Sequence, residues 1–432
     1  MKKYLNTVSA FQFYQLARYT TLVLIGIVFT KTALTQQEIG EYETFIFISG
    51  ALSFFWLNGL MKALLPLSAT NENSKPALFS AFVLISFFSF LAAAILLLLH
   101  PVFSEYLLNG KSIPELKWLL VYLFFGIPAH IVEYFYLVKK KNTSLVIYAV
   151  VSFSIQLLLV VIPALLNQSV AVILKGFVVS AILRYLWLWG IFIYFREIHF
   201  SGSFVKSHLK LGGPLVVATF LSGSAQFVDG FIVTSRFDEN TFAVFRYGAR
   251  ELPLAMLLAN ALSSAMLSEF AHSEKLQKNL EALKKSVSRL MHFLFPVTAV
   301  LLLASHPVFP VLFNPRFEES ATIFNIYLLL VISRLLMPQT ILNGLKYTSE
   351  IMRASFFELV LNVSLSLLFV QYWGIAGIAF ATFIAYLFEK IYLIISVKRK
   401  LNLNLADYHP VRYFVIYSLS ILVIFIFAEV LF

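Results

Sequence analysis

Long apolar runs separated by short polar breaks dominate this 432-residue sequence, which is 60% hydrophobic and only 13% charged. Thirteen runs approach the roughly 20 apolar residues that a helix needs to cross a bilayer. They are Ala10–Thr32, Thr44–Ser68, Ala77–Leu99, Leu116–Val138, Ser144–Leu166, Val170–Tyr194, Leu211–Thr234, Thr241–Ser268, Leu290–Pro307, Ala321–Leu345, Ser355–Gln371, Ile375–Val397 and Tyr413–Phe432. Helices close every backbone hydrogen bond internally, so the sequence predicts an all-α integral membrane protein.

Positive charge is unevenly distributed over the breaks between these runs. Lys139-Lys140-Lys141, Lys398-Arg399-Lys400 and most other basic residues outside the runs fall at every second break. Because cytoplasmic loops are enriched in Lys and Arg, this pattern predicts a cytoplasmic N-terminus. It also explains the net charge of +11 without a nucleic-acid partner.

A tetrapeptide repeat divides the sequence into two similar parts. His-Pro-Val-Phe occurs at 100–103 and again at 306–309, each time after a Leu-rich run, and the next predicted helix carries Pro128 or Pro338. The spacing of 206 residues covers six predicted helices, which returns the chain to the same side. We therefore expect two six-helix lobes in a parallel repeat, with each tetrapeptide ending its helix on the outer face.

The predicted domains follow from this repeat. The N-terminal lobe covers residues 1–200, the C-terminal lobe covers 201–400, and 401–432 holds one extra C-terminal transmembrane helix. The first apolar run follows a polar start and has no small-residue cleavage site, so we expect it to remain as a helix. Without cysteine, the sequence has no disulfide and no thiolate nucleophile.

Three stretches resemble a known family. They are GEYETFIFISGALSFFWLNGLMKALLPL from Gly40, LKLGGPL from Leu209 with the later Asp229, and WGIAGIAFAT from Trp373. They are similar to the Wzx-type polysaccharide and O-antigen flippases of the multidrug/oligosaccharidyl-lipid/polysaccharide (MOP) superfamily, which includes MATE exporters and the lipid II flippase. The resemblance covers about residues 8–400, although Ala243 and Phe245 replace the usual Gly and Tyr of the second lobe.

The resemblance implies a MOP/MATE-like fold in the bacterial cytoplasmic membrane. It implies a transporter that flips an undecaprenyl-pyrophosphate-linked oligosaccharide from the cytoplasmic to the periplasmic leaflet by alternating access. The implied partners are this substrate, membrane lipid, and the polysaccharide polymerase and chain-length proteins of surface polysaccharide assembly, including O-antigen of lipopolysaccharide. No P-loop is present, and the coupling ion, H⁺ or Na⁺, stays open, as does the oligomeric state.

Ionisable residues inside predicted spans are the candidate site, because charges in a bilayer usually face a cavity or a partner. The resemblance implies that helices one, two, seven and eight line the central cavity. The proposed cationic, substrate-binding residues on these helices are Arg18, Lys62, Arg246 and Arg250, and the polar or ion-coupling candidates are Gln226, Asp229 and Glu251. Guanidinium groups match phosphate oxygens bidentately, which suits a pyrophosphate cargo.

Other interpretations of these residues remain open. The basic side chains could extend to the membrane interface, and Glu251 could neutralise a neighbouring arginine. Asp229 is either a proton or cation site or, the interpretation we favour from sequence, the partner of an arginine. Elsewhere, at helix ends or in helices that we expect to be peripheral, we expect interfacial placement or local pairing for Glu133, Lys175, Arg184, Arg334, Glu358, Glu389 and Lys390.

Two other functions compete with the flippase. A MATE-like Na⁺- or H⁺-coupled drug exporter would favour an acidic cavity, whereas basic residues outnumber acidic ones in this set. A membrane polysaccharide polymerase or glycosyltransferase would need an equipped outer loop, but the outer breaks are short and hold no carboxylate pair at acid–base spacing. We therefore expect no catalytic residue, metal site or resident cofactor.

Overall fold

The computed structural model describes residues 7–69, 75–249, 253–270, 276–345 and 347–431, and within these ranges it contains helices and no strand. The α-helices are α1 (Thr7–Thr30), α2 (Gln36–Ala69), α3 (Lys75–Leu107), α4 (Leu116–Gly126), α5 (Ile131–Val138), α6 (Asn142–Leu165), α7 (Val170–Tyr194), α8 (Gly202–Gly223), α9 (Ala225–Arg236), α10 (Glu239–Gly248), α11 (Pro253–Phe270), α12 (Leu276–Leu312), α13 (Glu319–Leu328), α14 (Leu330–Leu335), α15 (Pro338–Gly344), α16 (Thr348–Leu401), α17 (Leu405–Tyr408) and α18 (Val411–Leu431). The predicted all-α fold is confirmed.

Many of these helices are long and apolar enough to cross a membrane. In the described ranges nine helices meet this condition, and the bent pair Glu319–Leu335 and Pro338–Gly344 adds a tenth if it forms one span. That number takes α16 as a single helix. The protein is thus a multi-pass membrane protein.

The helix α16 is a hairpin of two antiparallel arms. Its backbone leaves the helical conformation at Gly374, where φ is 54° and ψ is −137°, a combination that a residue with a Cβ rarely adopts. Contacts across the turn fix the arms: Asn362 Nδ2 lies 2.8 Å from Thr382 Oγ1. The sequence prediction of two separate helices, Ser355–Gln371 and Ile375–Val397, agrees with these arms.

The two His-Pro-Val-Phe copies lie inside α3 and α12, so the expectation that they end helices is wrong. In the first copy, Pro101 has no N–H to donate to the carbonyl of Leu97, four residues earlier. The Nδ1 atom of His100 lies 2.8 Å from that carbonyl oxygen and takes the place of the missing donor. A membrane helix tolerates proline when a neighbouring side chain satisfies the freed carbonyl in this way.

The first compact unit contains residues up to Phe227 together with Thr234–Ala243. Its largest helix contact joins α2 and α8. A Cβ added to Gly59 on α2 would lie 2.5 Å from the Cα of Val216 on α8, so the two backbones meet where only glycine fits. Because of this packing, α8 belongs to the first unit, whereas the sequence analysis assigns it to the C-terminal lobe, residues 201–400. The two lobes defined by the repeat stay a prediction.

The second compact unit contains Val228–Val233 and the residues from Val244 onward. In it, the hairpin α16 packs against α13, α14 and α15. The extra C-terminal helix α18 runs along α12 in the same direction. His292 Nδ1 lies 2.8 Å from the Tyr417 hydroxyl, and His306 Nε2 lies 3.1 Å from Glu429 Oε1.

Candidate functional site

Asp229, on α9, lies at the centre of a buried polar cluster in the second unit. Its side chain is 2% exposed, and its Oδ2 atom accepts hydrogen bonds from the Tyr327 hydroxyl at 2.5 Å and the Thr382 hydroxyl at 2.6 Å. The Nδ2 group of Asn362 donates in turn to the Thr382 hydroxyl. Helices α9 and α13 and both arms of α16 therefore each contribute one side chain to the cluster.

Several oxygen atoms of this region are buried without a hydrogen-bond donor among the described residues. They are Asp229 Oδ1, Asn362 Oδ1, Glu358 Oε1 and Ser366 Oγ. Buried acceptors are normally satisfied, and a set of unpaired acceptors indicates a missing donor or cation. Carboxylate, amide and hydroxyl oxygens are the ligands that hard cations prefer. The oxygens around Asp229 thus suit a proton or a small cation.

A second group of charges lies on α16 close to this cluster. The Lys390 ammonium donates to Glu389 Oε2 at 2.8 Å and to Gln339 Oε1 on α15. Glu358 interacts electrostatically with both Glu389 and Lys390, and the Arg334 guanidinium lies 4.7 Å from the centre of the Tyr386 ring. The acidic residues Glu358 and Glu389 and the basic Lys390 are buried in the unit. The local pairing expected for Glu389 and Lys390 is confirmed.

The first unit has its own buried polar group. Glu133 is 3% exposed, with His130 Nδ1 at 3.8 Å from its Oε2 atom. Arg184, on α7, donates to Gln156 on α6. Glu133 is therefore a buried carboxylate with a local partner, one of the two alternatives that the sequence leaves open for it.

Some of these polar residues lie at positions that the predicted repeat relates to each other. Gln156 and Asn362 are separated by the same 206 residues as the two tetrapeptides, and so are Arg184 and Lys390. Gln156 and Asn362 are both buried. Arg184 donates to the amide oxygen of Gln156, and Lys390 donates to the amide oxygen of Gln339. The repeat itself stays a prediction.

The predicted basic residues occupy different environments. Lys62, on α2, is exposed and its Nζ atom lies 3.3 Å from the Thr219 hydroxyl of α8. Arg18, on α1, is exposed and interacts electrostatically with Glu133. Arg246 on α10 is half-buried and has polar or charged neighbours.

The remaining predicted residues are only partly described. The backbone of Gln226 belongs to α9, but its side chain lies outside the described residues, as do Arg250 and Glu251 altogether. The convergence of the seven residues on one cavity therefore stays a prediction. So does an arginine partner for Asp229, whose hydrogen-bond donors among the described residues are hydroxyl groups.

Sequence reasoning singled out Asp229 and missed its neighbours. Tyr327, Asn362 and Thr382 are uncharged, and single polar residues are common in membrane helices. One signal was available: Glu358, Asn362 and Ser366 recur every four residues in the stretch FELVLNVSLSLL, which places them on one helix face.

A further polar contact lies in the first unit, between the α3–α4 connection and the start of α10. Lys111 Nζ lies 2.9 Å from Glu239 Oε2. Next to it, Asp238 caps α10: its Oδ1 atom accepts from the hydroxyl and backbone N–H of Thr241, and these hydrogen bonds hold the pKa of Asp238 below its usual value. The contact fixes how the chain enters α10.

Comparison with known proteins gives both a family and a fold. The model of a family described as polysaccharide biosynthesis protein matches residues 32–322. No curated protein matches the sequence.

Three solved structures illustrate the fold. The lipid II flippase MurJ in an inward closed conformation has a TM-score of 0.71 at 19% identity, covering 97% of this chain and 93% of that one. An inward-facing multidrug resistance MATE family transporter of the MOP superfamily has a TM-score of 0.66 at 15% identity, with 88% and 94% covered. A MOP superfamily transporter from Pyrococcus furiosus, whose binding pocket is described as having reverse polarity, has a TM-score of 0.56 at 14% identity, with 92% and 93% covered. The chain thus has the MOP fold.

Proposed function

Because the chain belongs to the polysaccharide biosynthesis protein family, we propose that it is a transporter that flips an undecaprenyl-pyrophosphate-linked oligosaccharide for surface polysaccharide assembly. The cargo moves from the cytoplasmic to the periplasmic leaflet by alternating access. The N-terminus is cytoplasmic, as the distribution of Lys and Arg predicts. Polysaccharide polymerase and chain-length proteins then use the flipped product.

The observation that carries the transport proposal is the buried Asp229 cluster. An oxygen-only set with an unpaired carboxylate atom, enclosed by membrane helices, suits reversible binding of H⁺ or Na⁺. Binding of such an ion neutralises the net charge at Asp229. It therefore changes the relative stability of conformations in which Asp229 is enclosed and those in which Asp229 is accessible. An ion gradient could drive flipping in this way without ATP.

The basic residues supply the cargo specificity in this proposal. Arg246 and Arg250 lie four residues apart, on one face of a helix in the predicted eighth span. Two guanidinium groups match the oxygens of a pyrophosphate, while the polyprenyl chain stays in lipid. A MATE-like exporter of cationic drugs is the second candidate, because the fold is compatible with an exporter as much as with a flippase. The basic residues favour the flippase, since they would attract an anionic cargo and repel a cationic drug.

The decisive experiment compares two cargoes in proteoliposomes. Wild-type protein should move a fluorescent polyprenyl-pyrophosphate oligosaccharide between leaflets and leave a cationic dye in place. The Arg246→Ala/Arg250→Ala variant should lose this activity. The control is Lys278→Ala/Lys285→Ala, which removes two positive charges from exposed positions of α12 and should keep it. Movement of the dye without the lipid would identify an exporter.

Coupling is tested on the same vesicles with imposed proton or sodium gradients. Asp229→Asn keeps the shape of the side chain but removes the charge, so flipping should no longer respond to the gradient. Asp238→Asn, at the exposed start of α10, is the matched control and should respond as the wild type does. An unchanged response of Asp229→Asn would exclude Asp229 from coupling.

A further inference from the structure

A stripe of polar side chains lies between the two arms of α16. At the end of the hairpin that carries Lys398-Arg399-Lys400, Ser396 donates to Glu350 at 3.3 Å. Glu358, two turns further along the first arm, interacts electrostatically with Glu389 of the second arm. The next pair is Asn362 and Thr382, which belongs to the Asp229 cluster. The stripe thus leads from the basic end of the hairpin towards Asp229.

Glu358 is the member of this stripe whose charge is least compensated. Its side chain is 3% exposed, and its Oε1 atom has no hydrogen-bond donor in the described part of the chain. Glu350, by contrast, lies 3.2 Å from the Arg353 guanidinium and 3.9 Å from Lys400. Of these two glutamates, eight residues apart on one arm, only Glu350 has a cationic group within 3.9 Å among the described residues.

Four charged groups act on Glu358 electrostatically: Glu389 and Lys390 of the second arm, Asp229 of α9 and Arg334 of α14. Tyr386 and Tyr327 are titratable neighbours of two of these groups, Arg334 and Asp229. Lys390 donates to Glu389 and Gln339, and the Arg334 guanidinium lies over the Tyr386 ring. The hydrogen bonds of Lys390 thus go to groups other than Glu358. The carboxylates of Glu389 and Asp229 also act on Glu358 electrostatically.

A buried carboxylate without donors is costly, and carboxylates that share a site favour a proton on one of them. A metal cation fits poorly here, because the positive charges of Lys390 and Arg334 repel it. A proton needs no extra space and leaves these charges where they are. The chemistry of the position therefore selects H⁺.

We propose that Glu358 is a proton-binding site, distinct from Asp229 and about 6 Å, one helical turn, before the Asn362 level of the stripe. Water at the basic end of the hairpin delivers the proton, which forms an O–H bond with the carboxylate; release breaks that bond and restores the carboxylate. The inference deepens the coupling role proposed above and depends on it for its place in transport, but the protonation itself requires no cargo.

Infrared spectroscopy of the purified full-length protein tests the proposal, because a protonated carboxyl group has a C=O stretch separate from that of a carboxylate. Asp229, which the proposed function also protonates, contributes a carboxyl band of its own, so the signal of Glu358 is isolated in the difference spectrum between wild type and Glu358→Gln. That difference should contain a protonated-carboxyl band that decreases as the pH is raised. Glu350→Gln, the same change at the ion-paired end of the same arm, should keep it. Glu358→Asp retains an acid and should shift the band, which identifies the residue if Glu358→Gln fails to fold.

Each result has a defined meaning. A difference spectrum between wild type and Glu358→Gln that holds no pH-dependent protonated-carboxyl band overturns the proposal. Loss of the band in Glu350→Gln as well also overturns it, since the proton would then belong to the ion-paired end. Because the measurement contains no substrate, an intact band with no lipid flipping contradicts only the proposed function, and flipping without the band contradicts only the role of Glu358.

Discussion

Replacing Thr382 with valine removes one hydroxyl from the Asp229 cluster and keeps the shape of the side chain. The hydroxyl is 2.6 Å from Asp229 Oδ2, to which it donates, and 2.8 Å from Asn362 Nδ2, from which it accepts. Thr382 is 3% exposed, so water cannot replace either partner. The substitution therefore breaks two tertiary hydrogen bonds, one between α9 and the second arm of α16 and one between the two arms.

The size of the effect follows from these two bonds. Interhelical hydrogen bonds in membrane proteins contribute about 0.6 kcal/mol on average and about 1.7 kcal/mol at most. Two bonds lost together give about 1–3 kcal/mol of destabilisation, with the upper part of the range expected because one acceptor is a carboxylate. Asp229 would retain the Tyr327 hydroxyl as a donor.

Equilibrium unfolding in mixed detergent micelles measures this difference. The control is Thr21→Val on α1, the same chemical change at a position that is also 3% exposed, where the hydroxyl donates to the Ala17 carbonyl of its own helix. Tyr327→Phe combined with Thr382→Val should give a non-additive effect, since both hydroxyls donate to one oxygen. If Thr382→Val is no less stable than Thr21→Val, the cluster does not hold these helices together.

Three other predictions concern stability. Gly59→Ala should cost about 1–3 kcal/mol, because its Cβ would lie 2.5 Å from the Val216 Cα, and thermal unfolding should show the loss; Gly190→Ala, with open space, is the control. Lys111→Ala should cost less than about 1 kcal/mol, since the Lys111–Glu239 pair is part-exposed, and added salt should reduce the difference between variant and wild type. His409, between α17 and α18, is buried, and burial lowers its pKa from 6.5 to about 4. The unfolded chain binds the proton more readily, so acidification from about pH 6.5 to about pH 4 should destabilise the protein by about 3 kcal/mol, an effect that His409→Leu should remove in pH-dependent unfolding measurements.

Particular residues show how far the sequence could predict the site. Asp229 was identified because a carboxylate in an apolar run is rare and expensive. Glu358 and Glu389 have the same property, yet the sequence pattern favours helix ends or peripheral helices for them, because the position of a helix within a bundle depends on contacts that the linear pattern does not contain. Thr382 and Asn362 carry no charge, so their role follows only from the packing of the hairpin against α9.

Local chemistry determined what the sequence could establish alone. The length of the apolar runs fixes membrane-spanning helices, and a backbone that must close its hydrogen bonds in lipid leaves no other element for them. The positions of charges and of Gly374 are also properties of the chain. Tertiary structure alone decided that the arms of α16 bring Glu358 opposite Glu389 and Thr382 beside Asp229. These partners lie 31 and 153 residues apart in the chain, so only packing in three dimensions could bring them together.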